Sequence, residues 1–309
     1  QADSLTSIVA AWRGEGEDAF SIAADTGSGK TEAAVLPLIA GALADGIDGV
    51  MGTRAILAYP RIRLAANQAQ RLAHYLSMFG ADQELPKLTL GLQVGEVPWD
   101  FERIPERLQS LWKVAGPNAF VFPFFACPSC QHELILRPSA GAKGADLLAC
   151  NDCKWSFDGW IGSKTRLAET PPSLFLPTTD SLHQWLHDPR YGRIFGDDMD
   201  CAAPRALLAD EIHLYTHIHG AQVGLALQRL AARAQTSRTD GKPMLAIGMS
   251  ATVGDPASAW SKLIGRDQIK VIQPSEEDAE PNPRGREYFY FVQPEVESRG
   301  ADIAGASTT

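Results

Sequence analysis

The sequence has no apolar run that approaches the ~18–20 residues needed to span a membrane. Its first residues, QADSLTSIVAAW, lack the basic start and apolar core of a secretory leader. With both signals missing, nothing points to a membrane or to the outside of the cell, and a cytoplasmic protein is expected. Basic residues are in the minority, 28 Lys and Arg against 37 Asp and Glu, for a net charge of −9. That balance argues against a protein that coats nucleic acid non-specifically. It still permits a local basic track, because phosphate contacts need only a few well-placed cations. Cysteine is scarce, with five in 309 residues. No internal repeat occurs beyond a doubled C-x2-C. The first residue is Gln1, so the sequence is expected to begin inside a longer chain. At 45% hydrophobic and 21% charged, the composition is that of an ordinary globular protein, long enough for one large domain or two ordinary ones.

Four of the five cysteines form two pairs, CPSC at 127–130 and CNDC at 150–153, separated by nineteen residues. Two C-x2-C turns with a spacer of about 15–20 residues is a structural zinc spacing, because two turns then present four thiolates tetrahedrally. Cys127, Cys130, Cys150 and Cys153 are therefore the expected Zn²⁺ ligands. Two disulfides or two unrelated reduced pairs are the alternatives, and a cytoplasmic chain disfavours the former. Cys201 stands apart as a packed thiol.

Short apolar strands alternate with helical spacing along the rest of the chain. Strands are expected at 18–24, 53–60, 88–95, 203–213 and 243–252, and helices at 30–46, 63–80 and 220–235. Pro37 is a defect that would kink the first of these helices. The pattern implies an α/β fold, a parallel sheet covered on both faces. Residues 99–170 break the rhythm and hold both cysteine pairs and the run FVFPFF (120–125), so they read as an inserted zinc module. That run is expected to be core of the module rather than a base-stacking platform, because no basic residues interleave it. The division is then 1–98 and 171–273 for the two parts of the α/β domain, 99–170 for the insertion, and 274–309 for a linker and the start of a following domain. The acidic, proline-rich QPSEEDAEPNPRGR begins that last part, and a strand is expected at 287–296.

The stretch ADTGSGKT (24–31) lies between a strand and a helix. A glycine loop there points backbone N–H groups at one place, and the helix start adds partial positive charge. Lys30 can reach the β- and γ-phosphates of a nucleotide, and Thr31 can place its hydroxyl on Mg²⁺. The P-loop pattern G-x-x-x-x-G-K-[ST] is met except at its first position, which is Ala24. The plain alternative is a glycine-rich helix start with a surface lysine. In LLADEIHLY (207–215) an apolar strand delivers Asp210 and Glu211 to its carboxyl end, where open α/β sheets bind ligands. One carboxylate can hold Mg²⁺ through water while its neighbour activates the attacking water. Alone, the pair would read as two solvated acids in a turn. His213 and His217 are spaced to bind a metal on a helix, but packing or solvent contact is the preferred reading of the nearby histidines.

ADTGSGKT (24–31), DEIH (210–213) and SAT (250–252) in this order resemble the motifs of the superfamily 2 helicases of the DEAD/DEAH type. AYPRIRLAANQ (58–68) and LPTTDSLHQWL (176–186) resemble two further motifs of that family, those that contact the nucleic-acid strand. The resemblance spans 23–254 and implies the first RecA-like domain of such a helicase, an ATP-dependent helicase or translocase. It implies that Thr26, Gly27, Ser28, Gly29, Lys30 and Thr31 bind the nucleotide, that Asp210 holds the Mg²⁺ shell and that Glu211 is the catalytic base. His213 would link that site to Ser250 and Thr252. Pro60, Arg61, Arg63, Gln68, Thr178 and Thr179 would form the nucleic-acid face, with DNA expected over RNA. Arg61 stands where a Thr is common. No segment like Q-x-x-G-R-x-G-R is present, so the chain reads as one half of a motor whose second RecA-like domain supplies the arginines. SATVGDP with PRGREYFYF downstream resembles mitomycin-repair-type helicases. DEIHLYTHIHGAQV resembles the helicase subunit of the DISARM phage-defence system, which implies an antiviral role and a partner subunit. The competing class is a zinc-containing nucleic-acid-binding or assembly protein with a vestigial nucleotide site.

Overall fold

The alternating apolar and amphipathic stretches fold into helix α1 (Ala2–Trp12), strand β1 (Ala19–Ala23), α2 (Lys30–Ile47), β2 (Ala55–Ala58), α3 (Ile62–Phe79) and β3 (Leu90–Gln93). One helical turn, α4 (Glu106–Gln109), leads into the short strands β4 (Val114–Gly116), β5 (Ala119–Val121), β6 (Leu134–Arg137), β7 (Asp146–Cys150) and β8 (Ser156–Ile161). Then come α5 (Lys164–Glu169), β9 (Leu174–Pro177), α6 (Thr179–Leu186), α7 (Gly192–Phe195) and β10 (Ala206–Ala209). Helix α8 (His217–Ser237), β11 (Leu245–Ser250), α9 (Pro256–Ile264) and β12 (Lys270–Ile272) complete the order. The computed structural model describes residues 2–24, 28–140, 144–238, 240–251 and 255–273. The strand expected at 287–296 and the linker from 274 lie outside them.

The described strands form one twelve-stranded sheet in the order β12-β1-β11-β10-β2-β9-β3-β8-β7-β6-β5-β4. Neighbours from β12 to β8 are parallel, and those from β8 to β4 are antiparallel. The cysteine-bearing strands thus continue the central sheet through β8, which pairs with β3 on one side and β7 on the other.

Side chains of a strand alternate between faces, and here both faces are apolar because helices cover both. Ala55, Leu57 and Tyr59 pack with α1, α2 and α3. Ile56 and Ala58 pack with α6, α8 and α9. The FVFPFF run is core, as expected: Phe120, Phe122 and Phe125 are buried, and the Phe122 ring lies 4.8 Å from that of Phe125 and 5.1 Å from that of Trp160.

Helix α1 was not signalled by the sequence, and its docking explains the odd residues of α2. Helix α2 runs through Pro37, which has no N–H to give the Ala33 carbonyl one turn back. The buried Ser4 hydroxyl of α1 supplies that bond instead, at 2.6 Å. One turn further on, a Cβ on Gly41 would come within 2.2 Å of the Trp12 ring. The missing side chain therefore lets Trp12 lie against the helix, where its Nε1 donates to Asp45 Oδ1 at 3.2 Å. No helix among the described residues is long and apolar enough to cross a membrane.

Candidate functional site

The parallel half of the sheet brings distant segments to one edge. Ala23, at the end of β1, sits in register with Ser250 at the end of β11. Ala209, at the end of β10, lies between Gly248 of β11 and Ala58 of β2. The carboxyl ends of these strands therefore present Ser28–Thr31, Asp210–His213, Ser250 and Tyr59–Arg61 along one rim, the place where such sheets take ligands. Gly29 caps α2 with φ 81°, a left-handed conformation that glycine adopts at no steric cost. Lys30 and Thr31 follow it in the first helical turn, both half-buried. Thr26, Gly27 and Thr252 lie outside the described residues.

Asp210 is 4% exposed. Burial pushes its carboxyl up to about 6 from an ordinary 3.8, the Glu211 charge raises it further, and the Glu211 backbone N–H and the Lys30 ammonium oppose the shift. That N–H donates to Asp210 Oδ1 at 2.8 Å. Glu211 itself has φ 51° and ψ 44°, a left-handed backbone that strains a non-glycine residue by roughly 1–3 kcal/mol. The turn swings its half-buried carboxylate to within 3.3 Å of His213 Nδ1. The same nitrogen lies 3.3 Å from Ser250 Oγ. A buried carboxylate, a second one beside it and a histidine that touches the neighbouring strand end suit a divalent cation with a polyphosphate, and the Lys30 charge felt at Asp210 suits the phosphate charge.

The rim continues across β2 and β9. Tyr59 and Thr178 pair as an isolated parallel bridge, and Thr179 N donates to Tyr59 O at 3.0 Å. Pro60 is half-buried, whereas Arg61 and Arg63 are exposed where α3 begins. Gln68, Thr178 and Thr179 are buried. The Thr178 hydroxyl caps α6, accepting from Ser181 N at 3.3 Å and donating to Ser181 Oγ at 2.9 Å. The arginines are the members of this set whose side chains stand free in solvent.

In the antiparallel half, Cys127, Cys130, Cys150 and Cys153 bring their sulfurs within 4.8 Å of one another. All five cysteines of the chain are free of disulfides. The two turns match. Cys127 N donates to His132 O at 2.8 Å and Cys150 N to Trp155 O at 2.8 Å. The residue after each second cysteine is left-handed, Gln131 at φ 65° and Lys154 at φ 62°. Backbone N–H groups of Cys153 and Asp152 point at Cys150 Sγ and bring its thiol down to about 7. Burial raises the Cys127 thiol, and the backbone N–H groups of Cys130 and Ser129 that point at its Sγ oppose that shift. Donors aimed at sulfur favour thiolate over thiol, and four convergent thiolates fit a tetrahedral, closed metal site.

Residues 1–97 match the DEAD/DEAH box helicase family model. The fold is similar to that of the DUF1998 helicase MrfA, with a TM-score of 0.52 at 15% identity over 87% of this chain and 29% of that one. It is also similar to MrfA bound to DNA and AMPPNP, with a TM-score of 0.52 at 15% identity over 89% and 27%. The DEAD-box helicase Mss116 bound to ssRNA and UDP-BeF gives a TM-score of 0.53 at 15% identity over 91% and 41%. The fold is that of the RecA-like domains of these helicases, and the family match covers residues 1–97. The chain spans less than a third of the length of MrfA. No curated protein matches the sequence.

This RecA-like domain also holds polar residues that motif reading did not single out. Glu32, next after Thr31, accepts from Arg71 Nη1 at 3.0 Å and from Tyr75 Oη at 3.1 Å, tying α2 to α3. Tyr59 is fully buried, and its phenol is raised well above 10 by burial and by Asp210. A helical spacing of polar Arg71 and Tyr75 beside the buried stripe was the only sign of the α3 contact in the sequence. The Tyr59 position carried no sign of its own, since an aromatic at a strand end reads as core.

Proposed function

We propose that this RecA-like domain is the first half of an ATP-driven motor that acts on DNA, a helicase or translocase. The observation that carries the reading is the convergence of Lys30, Asp210, Glu211, His213 and Ser250 on one rim. Lys30 and Thr31, with the loop 26–29, hold the β- and γ-phosphates and the Mg²⁺ that accompanies them. Asp210, ionised above pH ~6, orients the waters of the metal shell. Glu211 takes the proton of the attacking water. His213 and Ser250, with Thr252, sense that site from the neighbouring strand. Bound Mg²⁺ offsets the phosphate charge, and the protein's part is to place groups and exclude water.

Arg61 and Arg63 bind the DNA backbone, with Pro60, Gln68, Thr178 and Thr179 shaping the surface around them. A second RecA-like domain supplies the arginines that stabilise the transferring phosphoryl group, an effect worth ~10³–10⁵ in rate in this reaction class. Zn²⁺ in the four-cysteine site is structural. Residues 99–170 act as its module, 1–98 and 171–273 as the ATPase, and 274–309 as the passage to the next domain. The setting is cytoplasmic phage defence with a partner subunit, as the DISARM resemblance of 210–223 suggests.

The test is steady-state ATP turnover with and without single-stranded DNA or RNA, for this chain and for one extended by the second domain. DNA-stimulated turnover lost in Glu211→Gln is the expected result. Turnover that ignores nucleic acid in the extended protein would reject the motor. In cells, Lys30→Ala should abolish protection in a plaque assay.

A further inference from the structure

Helix α3 touches three regions at once. Its first residues, Arg61 and Arg63 with Ile62 between them, stand at the rim. One side is held by Glu32 through Arg71 and Tyr75. Another side is held by the cysteine turns. Gln70 Nε2 donates to Ala126 O at 2.8 Å, the carbonyl immediately before Cys127. Trp155 Nε1 donates to Ser77 Oγ at 3.0 Å, and Trp155 is the residue whose carbonyl closes the second turn by accepting from Cys150 N. Gln70 and Ser77 are seven residues apart, two helical turns, so they lie on one stripe. Each cysteine turn thus makes one polar contact with the same face of α3.

The buried face of α3 makes such contacts matter. It consists of Ala65, Ala66, Ala69 and Ala73, with Gln68, Leu72 and Leu76. Alanine-rich faces interlock shallowly, since few side chains project into grooves of the sheet. Apolar burial then holds the helix against the sheet but sets its rotation and axial position weakly. Directional hydrogen bonds to Ala126 and Trp155 set them instead. Those two anchors are only as fixed as the turns that bear them, and the turns are fixed by whatever holds four sulfurs within 4.8 Å.

We propose that the four-cysteine site is a positioning device for α3: metal held by Cys127, Cys130, Cys150 and Cys153 fixes Gln70 and Ser77, and through them the placement of Arg61 and Arg63 on the nucleic-acid face. Zinc occupancy then sets affinity for a nucleic-acid strand although the metal never touches it. Gln70 and Trp155 are positioning residues. The nucleic-acid part of this inference rests on the function proposed above; the mechanical part does not.

The experiment uses the full chain with zinc bound, a Gln70→Leu/Trp155→Phe double variant, and wild type stripped of zinc by a chelator. Three readouts are taken: zinc content, hydrogen exchange of α3 peptides, and affinity for a fluorescein-labelled single-stranded DNA by anisotropy. The double variant should keep about one zinc per chain, exchange faster across 62–79, and bind DNA about three- to tenfold more weakly, the range expected from two hydrogen bonds. Zinc removal should reproduce both changes, and returning zinc should reverse them in wild type but not in the double variant. Unchanged α3 exchange after zinc removal overturns the positioning device. If α3 loosens while DNA affinity stays the same, the link to the nucleic-acid face is wrong. Failure of zinc-loaded wild type to bind DNA rejects the nucleic-acid reading instead, and the exchange arm still decides the mechanical claim.

Discussion

The two halves of the sheet build their sites in opposite ways. In the parallel half, Lys30, Asp210 and Ser250 are far apart in the chain and meet because β1, β11 and β10 lie side by side in register. In the antiparallel half, the four cysteines fall within 127–153, on hairpin-like neighbours that are also adjacent in sequence. The first site depends on a large apolar core on two faces, and the second on a local turn geometry repeated twice. A site made by long-range register tolerates loss of a charged side chain without losing its shape. One made by local turns around a metal loses its shape with its ligand. Substitutions in each half of the sheet test that contrast.

The largest effect is expected from the metal ligands. Cys127→Ser or Cys153→Ser should remove zinc, whose binding to structural sites is worth on the order of 10 kcal/mol. The damage should reach α3 but spare the nucleotide site: elemental analysis reads zinc loss while equilibrium ATP binding holds within about twofold, less than 0.5 kcal/mol. A matching collapse of ATP affinity would show that the halves are not separable.

The converse variants act on the parallel half alone. Glu211→Gln should lower turnover by ~10²–10⁴, the usual contribution of a general base, while ATP affinity and zinc content persist. Lys30→Ala should lose ATP binding itself. Unchanged nucleotide affinity in Lys30→Ala would remove the phosphate role from that residue.

Next in size is the burial of Asp210. Its folded-state value, about 6 against an ordinary 3.8, means that folding favours the protonated acid. The associated stability is fully present below pH ~3.8 and is lost as pH rises through ~6, a difference of roughly 3 kcal/mol. Asp210→Asn has no charge to bury. It should therefore be more stable than wild type above pH ~6 by up to that amount, with the gap closing below pH ~4, as denaturant titrations across pH would show. Mg²⁺ affinity of wild type should weaken as pH falls through ~6. A gap that does not vary with pH would contradict the assignment of the shift to Asp210.

The smallest effect sharpens the picture of the core beneath the parallel site. Ser4→Ala leaves the Ala33 carbonyl without a donor and should destabilise by about 1–2 kcal/mol. In a Pro37→Ala background the helix supplies its own N–H, so the same change should cost less than half as much. Equal costs in both backgrounds of this double-mutant cycle would mean that Ser4 does not replace the missing proline donor.

Much of the site was legible in the sequence because its signals are local. A glycine loop ahead of Lys30, two acids after an apolar run, and two C-x2-C turns are each set by dihedral needs or ligand spacing within a few residues. The strands and helices that carry them follow from periodicity, and α2 and α3 lie within two residues of their expected bounds. Helix α1 was not legible, because its reason for being ordered is Pro37 and Gly41 on another helix. Nor was the burial of Thr178 and Thr179, since a threonine at a strand end can face solvent or cap the next helix, and only the packing of α6 chose the cap.

The sequence by itself thus determined which groups exist for phosphate, metal and thiolate chemistry, since that chemistry is written in residue type and short spacing. The tertiary structure alone decided that the cysteine segment continues the same sheet through β8. It also decided that Glu32 reaches Arg71 and Tyr75, and that α3 lies between the nucleotide helix and the cysteine turns. These are contacts between residues about 40 to 80 positions apart. No periodicity encodes such pairs. They come from strand register and from the burial of two apolar faces at once, which only the folded chain satisfies.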